Sequence, residues 1–494
     1  MTKSELDITM PGIRAPWAVS QSTQAVEVPV LVVAWSDEQP ERIGEFAFLA
    51  EGDDATLLGR GPAIDGDPAP RLTFGRVTVN GYEEGPAVLG PRLSRRQVML
   101  RTKGTSIEME RLGSCPTLVN GQPLDRATLR FGDTLTLKDQ LVLFVGRRTR
   151  GTGRGSLPER LLGEFARADA WGIVGESSAA WKLRGELGFI GRASGHVIVL
   201  GESGVGKELA ARAIHALSDR EAKPLIARSA ATIPDSLIDA ELFGNVGNYP
   251  NPGMRERPGL IGEANKSSLF LDEIGELPEA CQARLLRVLD SGGEYSRLGE
   301  ARPRVADLRL IAATNRPIDQ LKSDFGARFP LTLRVPGLNE RRADIPLLIR
   351  HLLVRSAASN TELHARFFEP CEDGGVGEPR VAPDLVERLI RHNYSTHVRE
   401  LEQLLWKAIL SSHEGFLLLT PDVLDALSSC EQEPVTEPTE VSGDAIRSAL
   451  GRHEGNITRA ARELGLKNRY VLYRLMKKHG IDEDTEDTVP EVTT

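Results

Sequence analysis

Cysteine is scarce in this chain: Cys115, Cys281, Cys371 and Cys430 stand far apart, and no two form a CxxC pair. That excludes a disulfide framework and a zinc-ribbon site, and it suits a reducing compartment. Long apolar runs are missing too. The run "VPVLVVAW" falls well short of the ~20 residues needed to cross a bilayer. The start, "MTKSELDITMPG", lacks the basic and apolar regions of a secretory signal. A cytoplasmic protein without a membrane partner is expected. There is no overall excess of positive charge either. The net charge is −9, which argues against general coating of nucleic acid and requires charge to be read region by region.

What is present is enough for packed cores: 40% of 494 residues are hydrophobic. At roughly 150 residues per domain, about three domains are expected. No internal repeat is found. Short β-branched runs broken by Gly, Pro and Asp suggest an all-β sandwich over 26–147. The basic, Gly-rich "RRTRGTGRGSLPER" lies in a linker over 148–170. Strands alternating with helices predict an α/β core over 171–340, followed by a helical lid over 341–412. A second linker covers 413–440. A basic helical segment covers 441–481, and an acidic tail covers 482–494.

The chemistry is clearest after "HVIVL". The run "GESGVGKE" follows that strand at once, and "LAARAIHAL" continues as a helix. A glycine loop between a strand and a helix N-terminus cradles phosphate with backbone N–H groups. Gly201, Glu202, Ser203, Gly204, Val205, Gly206, Lys207 and Glu208 form this loop. Lys207 reaches the outer phosphates, while Glu208 stands where a metal-binding Ser or Thr is usual. "SSLFLDEIGEL" places Asp272 and Glu273 at a strand end, Asp272 for Mg²⁺ and Glu273 to polarise the attacking water. "LRLIAATNRP" ends at Thr314 and Asn315, placed to sense the γ-phosphate. "HVRELEQLL" adds Arg399. ATP with Mg²⁺ is the expected ligand.

Residues 171–412 resemble the AAA+ domain of bacterial enhancer-binding proteins, the activators of sigma-54 RNA polymerase. "GESGVGKE", "ELFG", "LFLDEIGELP", "LLRVLDSGGEYSRLG", "AATNRP", "LNERRADIP" and "VRELE" carry the likeness. It implies a P-loop ATPase that works as a homo-oligomer, from a dimer to a hexameric or heptameric ring, with sites between subunits. It further implies adenine contacts at Ile173, Val174 and Gly175, and a second-sensor role for Arg399. Arg328 fills one candidate trans-acting position, and Lys322 fills the other. Lysine lacks the planar fork of guanidinium, and Ser229 replaces the asparagine that restrains the catalytic Glu. ATP binding therefore follows more directly than fast hydrolysis.

The family's GAFTGA loop, which grips sigma-54, should follow "ELFG". Its places are taken here by Asn248, Tyr249, Pro250, Asn251, Pro252 and Gly253. Pro250 has a locked φ and no N–H at the tip position, and Pro252 replaces a hinge glycine. The expectation is a loop that does not engage sigma-54 in the family's way.

Two further resemblances flank this domain. Between Asp444 and Gly480, nine basic residues face three acidic ones, a sign reversal that suits DNA phosphates. "GNITRAARELGL" and "LYRLMKKHGI" resemble a Fis-type helix-turn-helix. Leu472, Leu475 and Met476 form a core stripe, leaving Arg469, Tyr473, Arg474 and Lys477 as candidates for the major groove. At the other end, "LLGR", "LSRRQ", "TLVNG" and "RFGDTLTL" resemble a forkhead-associated (FHA) domain. That implies a phosphothreonine protein as partner, read by Arg60, Ser94, Arg95 and Asn120. Gln97 and Cys115 replace a usual histidine and asparagine.

The whole reads as a multidomain chain: FHA sandwich, AAA+ ATPase with helical lid, and all-α helix-turn-helix. It is expected to be a DNA-binding, ATP-binding regulator of transcription, gated by its sandwich and acting on RNA polymerase with sigma-54. The alternative is a regulator or repressor that binds DNA and ATP without remodelling that polymerase. An ATP-driven remodeller unrelated to transcription is disfavoured by the basic segment.

Overall fold

The computed structural model describes residues 27–49, 54–78, 81–104, 106–149, 159–234, 236–249, 251–290, 292–316, 323–370, 376–413, 415–431 and 443–453, with Ala460, Glu463, Leu464, Leu472 and Met476. The chain divides into two compact units, Met1–Ala426 and Leu427–Thr494.

The first unit begins with twelve short strands: β1 (Glu27–Ser36), β2 (Phe46–Phe48), β3 (Ala55–Leu58), β4 (Gly75–Thr78), β5 (Gly81–Glu84), β6 (Val98–Lys103), β7 (Ser106–Arg111), β8 (Thr117–Val119), β9 (Gln122–Pro123), β10 (Arg126–Leu129), β11 (Thr134–Leu137) and β12 (Leu141–Thr149). They form two antiparallel sheets, ordered β5-β4-β2-β1-β12-β11-β8-β9 and β10-β7-β6-β3. Alternate apolar residues from both sheets meet between them, among them Leu31, Leu58, Phe74, Leu100, Leu129, Leu135 and Leu143, as a two-layer sandwich requires.

The α/β part follows: α1 (Ser178–Arg192), β13 (Val197–Leu200), α2 (Lys207–Ala216), β14 (Ile226–Ser229), α3 (Ile238–Phe243), α4 (Gly259–Glu263), β15 (Ser268–Asp272), α5 (Glu279–Leu289), a small ribbon of β16 (Glu294–Tyr295) and β17 (Arg304–Val305), β18 (Arg309–Thr314), α6 (Ser323–Gly326) and β19 (Leu331–Arg334). The main sheet is fully parallel, ordered β14-β15-β18-β13-β19. Its strands are apolar at successive positions because both faces are covered. Ile198, Leu269, Leu271, Leu310 and Ala312 pack on one side; Val197, Val199, Phe270, Ile311 and Ala313 pack on the other. The lid consists of α7 (Ile345–Ala358), α8 (Thr361–Phe367), α9 (Pro383–Arg391) and α10 (His397–Ser411).

Both segments read as linkers are partly built. Leu161 in the first is fully buried. The second carries α11 (Pro421–Glu431), whose Val423, Ala426 and Leu427 are buried at helical spacing. In the second unit, α12 (Gly443–Arg452) buries Ile446 and Ala449; Ala460, Leu472 and Met476 are also buried. Glu463 pairs with Arg452 and with His453.

Candidate nucleotide site

The parallel sheet ends its central strands at one edge, where a ligand crevice is expected. The loop from Gly201 to Gly206 joins β13 to α2 there. Gly204 and Gly206 take φ of +81° and +102°, values that glycine reaches without strain. Lys207 opens α2 and is largely buried. Its ammonium donates to the carbonyls of Gly201 at 2.9 Å and Glu202 at 3.0 Å. Burial lowers its pKa, the charges of Asp272 and Glu273 oppose that, and Arg399 adds to it. Glu208 turns aside to pair with Arg212 at 2.7 Å, leaving the loop's mouth free of its carboxylate.

Asp272 ends β15, and its Oδ1 accepts the Glu273 N–H at 2.9 Å. Glu273 sits in the left-handed region with φ of 53°. Ser229 Oγ donates to Glu273 Oε2 at 3.2 Å. Thr314 is buried at the end of β18, while Asn315 is exposed beside it. Arg328 is exposed and pairs with Asp290 at 3.1 Å. Lys322 lies outside the described residues.

The lid closes the other wall. Arg399 donates to Ser203 Oγ at 3.1 Å, and the Val398 N–H donates to the Gly204 carbonyl at 3.2 Å. A Cβ on Gly204 would lie 2.2 Å from the Thr396 carbonyl. Ile173 and Val174, expected to contact adenine, are buried. Asp344 Oδ1 accepts the N–H groups of Glu176 and Ser177, both at 2.8 Å. Gly175 has φ of 145°, and a Cβ there would meet Asp344 Oδ2 at 2.6 Å.

Two residues were not foreseen. His397, at φ of 51°, has Nε2 3.0 Å from Glu202 Oε2 and its Nδ1 accepts the Leu338 N–H at 3.3 Å. Buried Arg341 reaches the carbonyls of Val174 at 3.4 Å and Val205 at 3.5 Å, joining the two walls. Nothing in "THVRELE" signals a left-handed histidine, and Arg341 is one arginine of two in "ERRAD".

Among the described residues, no group of three or more His, Cys, Asp or Glu side chains gathers to hold a metal ion. A caged metal is therefore a poor match. Mg²⁺ is a fitting one, because it takes one or two carboxylates together with phosphate oxygens and water. Asp272 is the residue that would hold it, and the ion would neutralise phosphate charge.

The loop after "ELFG" is tied down at its base. Asn245 and Arg257 exchange backbone bonds of 3.1 and 3.0 Å, and the Val246 N–H donates to Leu298 O at 3.1 Å. The Asn245 amide donates to Val246 O at 2.9 Å and Arg255 O at 3.0 Å. Nearer the tip, Asn248 takes φ of 63°, and its Oδ1 accepts the Gly253 N–H at 2.9 Å. The Tyr249 ring lies over Gly299, where a Cβ would come within 2.6 Å of it. Pro250 lies outside the described residues.

In the sandwich, Arg60, Arg92, Ser94, Ser114, Cys115 and Lys138 line one cavity. Ser94 Oγ accepts the Ser114 N–H at 3.1 Å. Gln97, fully buried, accepts the Ser94 N–H at 3.2 Å and donates to Cys115 O at 2.8 Å. It shapes the loop from beneath. Arg95 and Asn120 do not line that cavity. The Arg95 carbonyl accepts from the Arg71 guanidinium. Asn120, at φ of 53°, donates to Asp133 Oδ1 at 2.8 Å and accepts from the Thr134 N–H at 3.0 Å. Arg92 and Lys138 join the cavity through turns that carry no motif. Arg469, Tyr473, Arg474, Lys477 and Leu475 lie outside the described residues. Among the described residues no helix is long and apolar enough to cross a membrane.

Comparison with known proteins gives this geometry a family. Residues 173–336 match the model of the sigma-54 interaction domain, and residues 438–479 match that of the bacterial regulatory proteins of the Fis family. The transcriptional regulatory protein ZraR of Salmonella typhi is 32% identical over 387 residues, covering 76% of this chain and 80% of that protein. ZraR of Escherichia coli strain K12 is 33% identical over 324 residues, covering 63% of this chain and 69% of that protein. UacR of the same strain is 36% identical over 336 residues, but the match spans only 53% of its length. Among solved structures, NtrX from Brucella abortus in complex with ATP is 28% identical, with a TM-score of 0.45 over 65% of this chain and 70% of that one. The α/β unit has the AAA+ P-loop ATPase fold. The chain belongs to the family of transcriptional regulators that join a sigma-54 interaction domain to a Fis-family helix-turn-helix.

Proposed function

We propose that this protein is an ATP-binding, DNA-binding regulator of transcription whose loop is not built to drive sigma-54 RNA polymerase in the family's way. The observation that carries the nucleotide reading is the single cleft around Lys207, walled by Asp272, Glu273 and Ser229 on one side and by Arg399 on the other. The match of residues 173–336 to the sigma-54 interaction domain, with its glycine loop and Lys207, supports ATP as the ligand, with Mg²⁺ at Asp272. Ring assembly would bring Arg328 of a second copy to the cleft. Arg469, Tyr473, Arg474 and Lys477 are the proposed DNA contacts. The cavity of Arg60 and Ser94 supports an FHA-type phosphothreonine site, with Lys138 supplying further positive charge and Arg92 paired to Asp139 at 3.8 Å on the same rim.

The loop supports the departure from activation. Asn245 and Asn248 close it with side-chain bonds, and Tyr249 is laid back on Gly299. A second reading, an activator that hydrolyses ATP and opens sigma-54 promoters, is favoured by the retained Asp272–Glu273 pair with its Ser229 restraint. Transcription from a purified sigma-54 promoter separates them. The first reading expects no ATP-dependent open complexes above background; robust open-complex formation establishes the second.

A further inference from the structure

An acid buried on the lid is answered by hydroxyls of the sandwich. Glu387 on α9 is 7% exposed. Its Oε1 accepts from Thr134 Oγ1 at 3.0 Å, and its Oε2 from Thr136 Oγ1 at 2.9 Å. Both threonines stand on one face of β11, two residues apart. One helical turn beyond Glu387, Arg391 donates to the Asn120 carbonyl at 3.0 Å. The Trp35 indole donates to the Val381 carbonyl at 2.8 Å. Gly44, at φ of +97°, lies so close to Leu347 of α7 that a Cβ would sit 3.1 Å from it.

The same sheet also holds the ATPase core. Arg148, near the end of β12, is buried and donates to the Glu176 carbonyl. Its guanidinium lies over the Phe46 ring at 3.9 Å. Glu176 directly follows the Ile173–Gly175 wall of the cleft. β11 and β12 are paired neighbours, so one rigid sheet grips the lid through one strand and the core through the next.

We propose that the sandwich is a brace on its own ATPase: by holding Glu387 of the lid and Glu176 of the core on one sheet, it keeps the lid seated on the phosphate loop. Tilting the lid away would exchange both hydroxyl donors for water, a loss of ~10-fold in the seating equilibrium if each bond is worth a net ~0.7 kcal/mol. The tether adds to this, since the brace and its target share one chain and meet at high effective concentration. This role is separate from peptide recognition. The part of it that concerns ATP rests on the nucleotide site proposed above.

The Val398 amide, bonded to Gly204 O across the lid and loop, is the reporter. Hydrogen exchange is measured on the full chain without nucleotide. The double substitution Thr134→Val, Thr136→Val keeps the shape of the strand while removing both donors; Arg148→Met releases the core side. Each is expected to speed exchange at Val398 by about 10-fold, while Arg101→Ala on the opposite sheet leaves it unchanged. A fluorescent ATP analogue should leave the two braced-site variants at least ~3-fold faster. The proposal is overturned if exchange rises in β11 and α9 while Val398 keeps its original rate, or if no amide changes. Should the double variant fail to fold, Glu387→Gln serves in its place with the same outcomes. If the unmodified chain holds no ATP analogue, the nucleotide reading falls, and Val398 still decides the brace.

Discussion

The candidate nucleotide cleft, at the edge of the parallel sheet, and the loop between α3 and α4 belong to the same α/β part, yet they are built on opposite plans. The cleft leaves its polar groups poised: Lys207 is held only by two carbonyls, and Asn315 stands exposed at its strand end. The loop spends its polar groups on itself through Asn245 and Asn248. Side chains that bond their own backbone make a loop stiff without a packed core beneath it. The cleft's lysine and the loop's asparagines thus use their hydrogen bonds differently: one faces an open crevice, the others close on their own backbone.

The largest effect should come from rebuilding the loop. If the loop is not built for sigma-54, as proposed above, replacing its tip with the family motif (Asn248→Gly, Tyr249→Ala, Pro250→Phe, Asn251→Thr, Pro252→Gly, Gly253→Ala) is expected to yield ATP-dependent sigma-54 open complexes on a purified template where the unmodified chain forms none above background. Equal activity in the unmodified chain would erase the contrast between cleft and loop. On the cleft side, Lys207→Ala should weaken ATP binding by about 10–100-fold in calorimetry with Mg²⁺, the range for losing a charged hydrogen-bonding partner. A smaller change would mean that the cleft is as self-contained as the loop.

A third test concerns the sandwich. Arg60→Ala should reduce binding of a phosphothreonine peptide by about 10-fold or more in fluorescence anisotropy, whereas Asn120→Ala should leave it within about 2-fold, because Asn120 lies at the lid contact and not in the cavity.

The smallest effect is one of pH. Glu400 at the start of α10 is buried, which raises its pKa, but bonds from the Thr396 N–H, from His392 and from Ser395 outweigh this and hold it at about 2. A carboxyl depressed in the folded state stabilises above its unfolded value, near 4.3, and loses that contribution as pH falls toward 2. Thermal unfolding of the lid should therefore drop by a few degrees over that window. The variant Glu400→Gln should show a flatter profile in calorimetry.

The motifs at strand ends were legible because chemistry and backbone are contiguous there. "GESGVGKE" must be a turn into a helix whatever surrounds it, and the strand before Asp272 is apolar on both faces. Contacts between distant segments were not legible. Asn120 carries an FHA-like motif but turns its carbonyl to Arg391, 271 positions away in the chain. Arg341 is tied to Val174 and Val205 across 167 and 136 positions. The first linker boundary slipped for the same reason, since Leu161 packs in a cluster with Val197 and Leu333; in the second, Val423 is buried within α11. His397 takes a backbone conformation that histidine adopts less readily than glycine, with its ring against Gly337 and bonded to Glu202 and Leu338.

Gly204 has two masters. Phosphate recognition favours a glycine at that turn, and so does the lid, whose Thr396 carbonyl stands 2.2 Å from where any Cβ would be. A descendant of this protein that had given up ATP altogether would still be held to glycine there by crowding alone. Lys207 is under no such crowding: its ammonium meets two loop carbonyls at hydrogen-bond distance, and its side chain is where the loss of nucleotide would first be written.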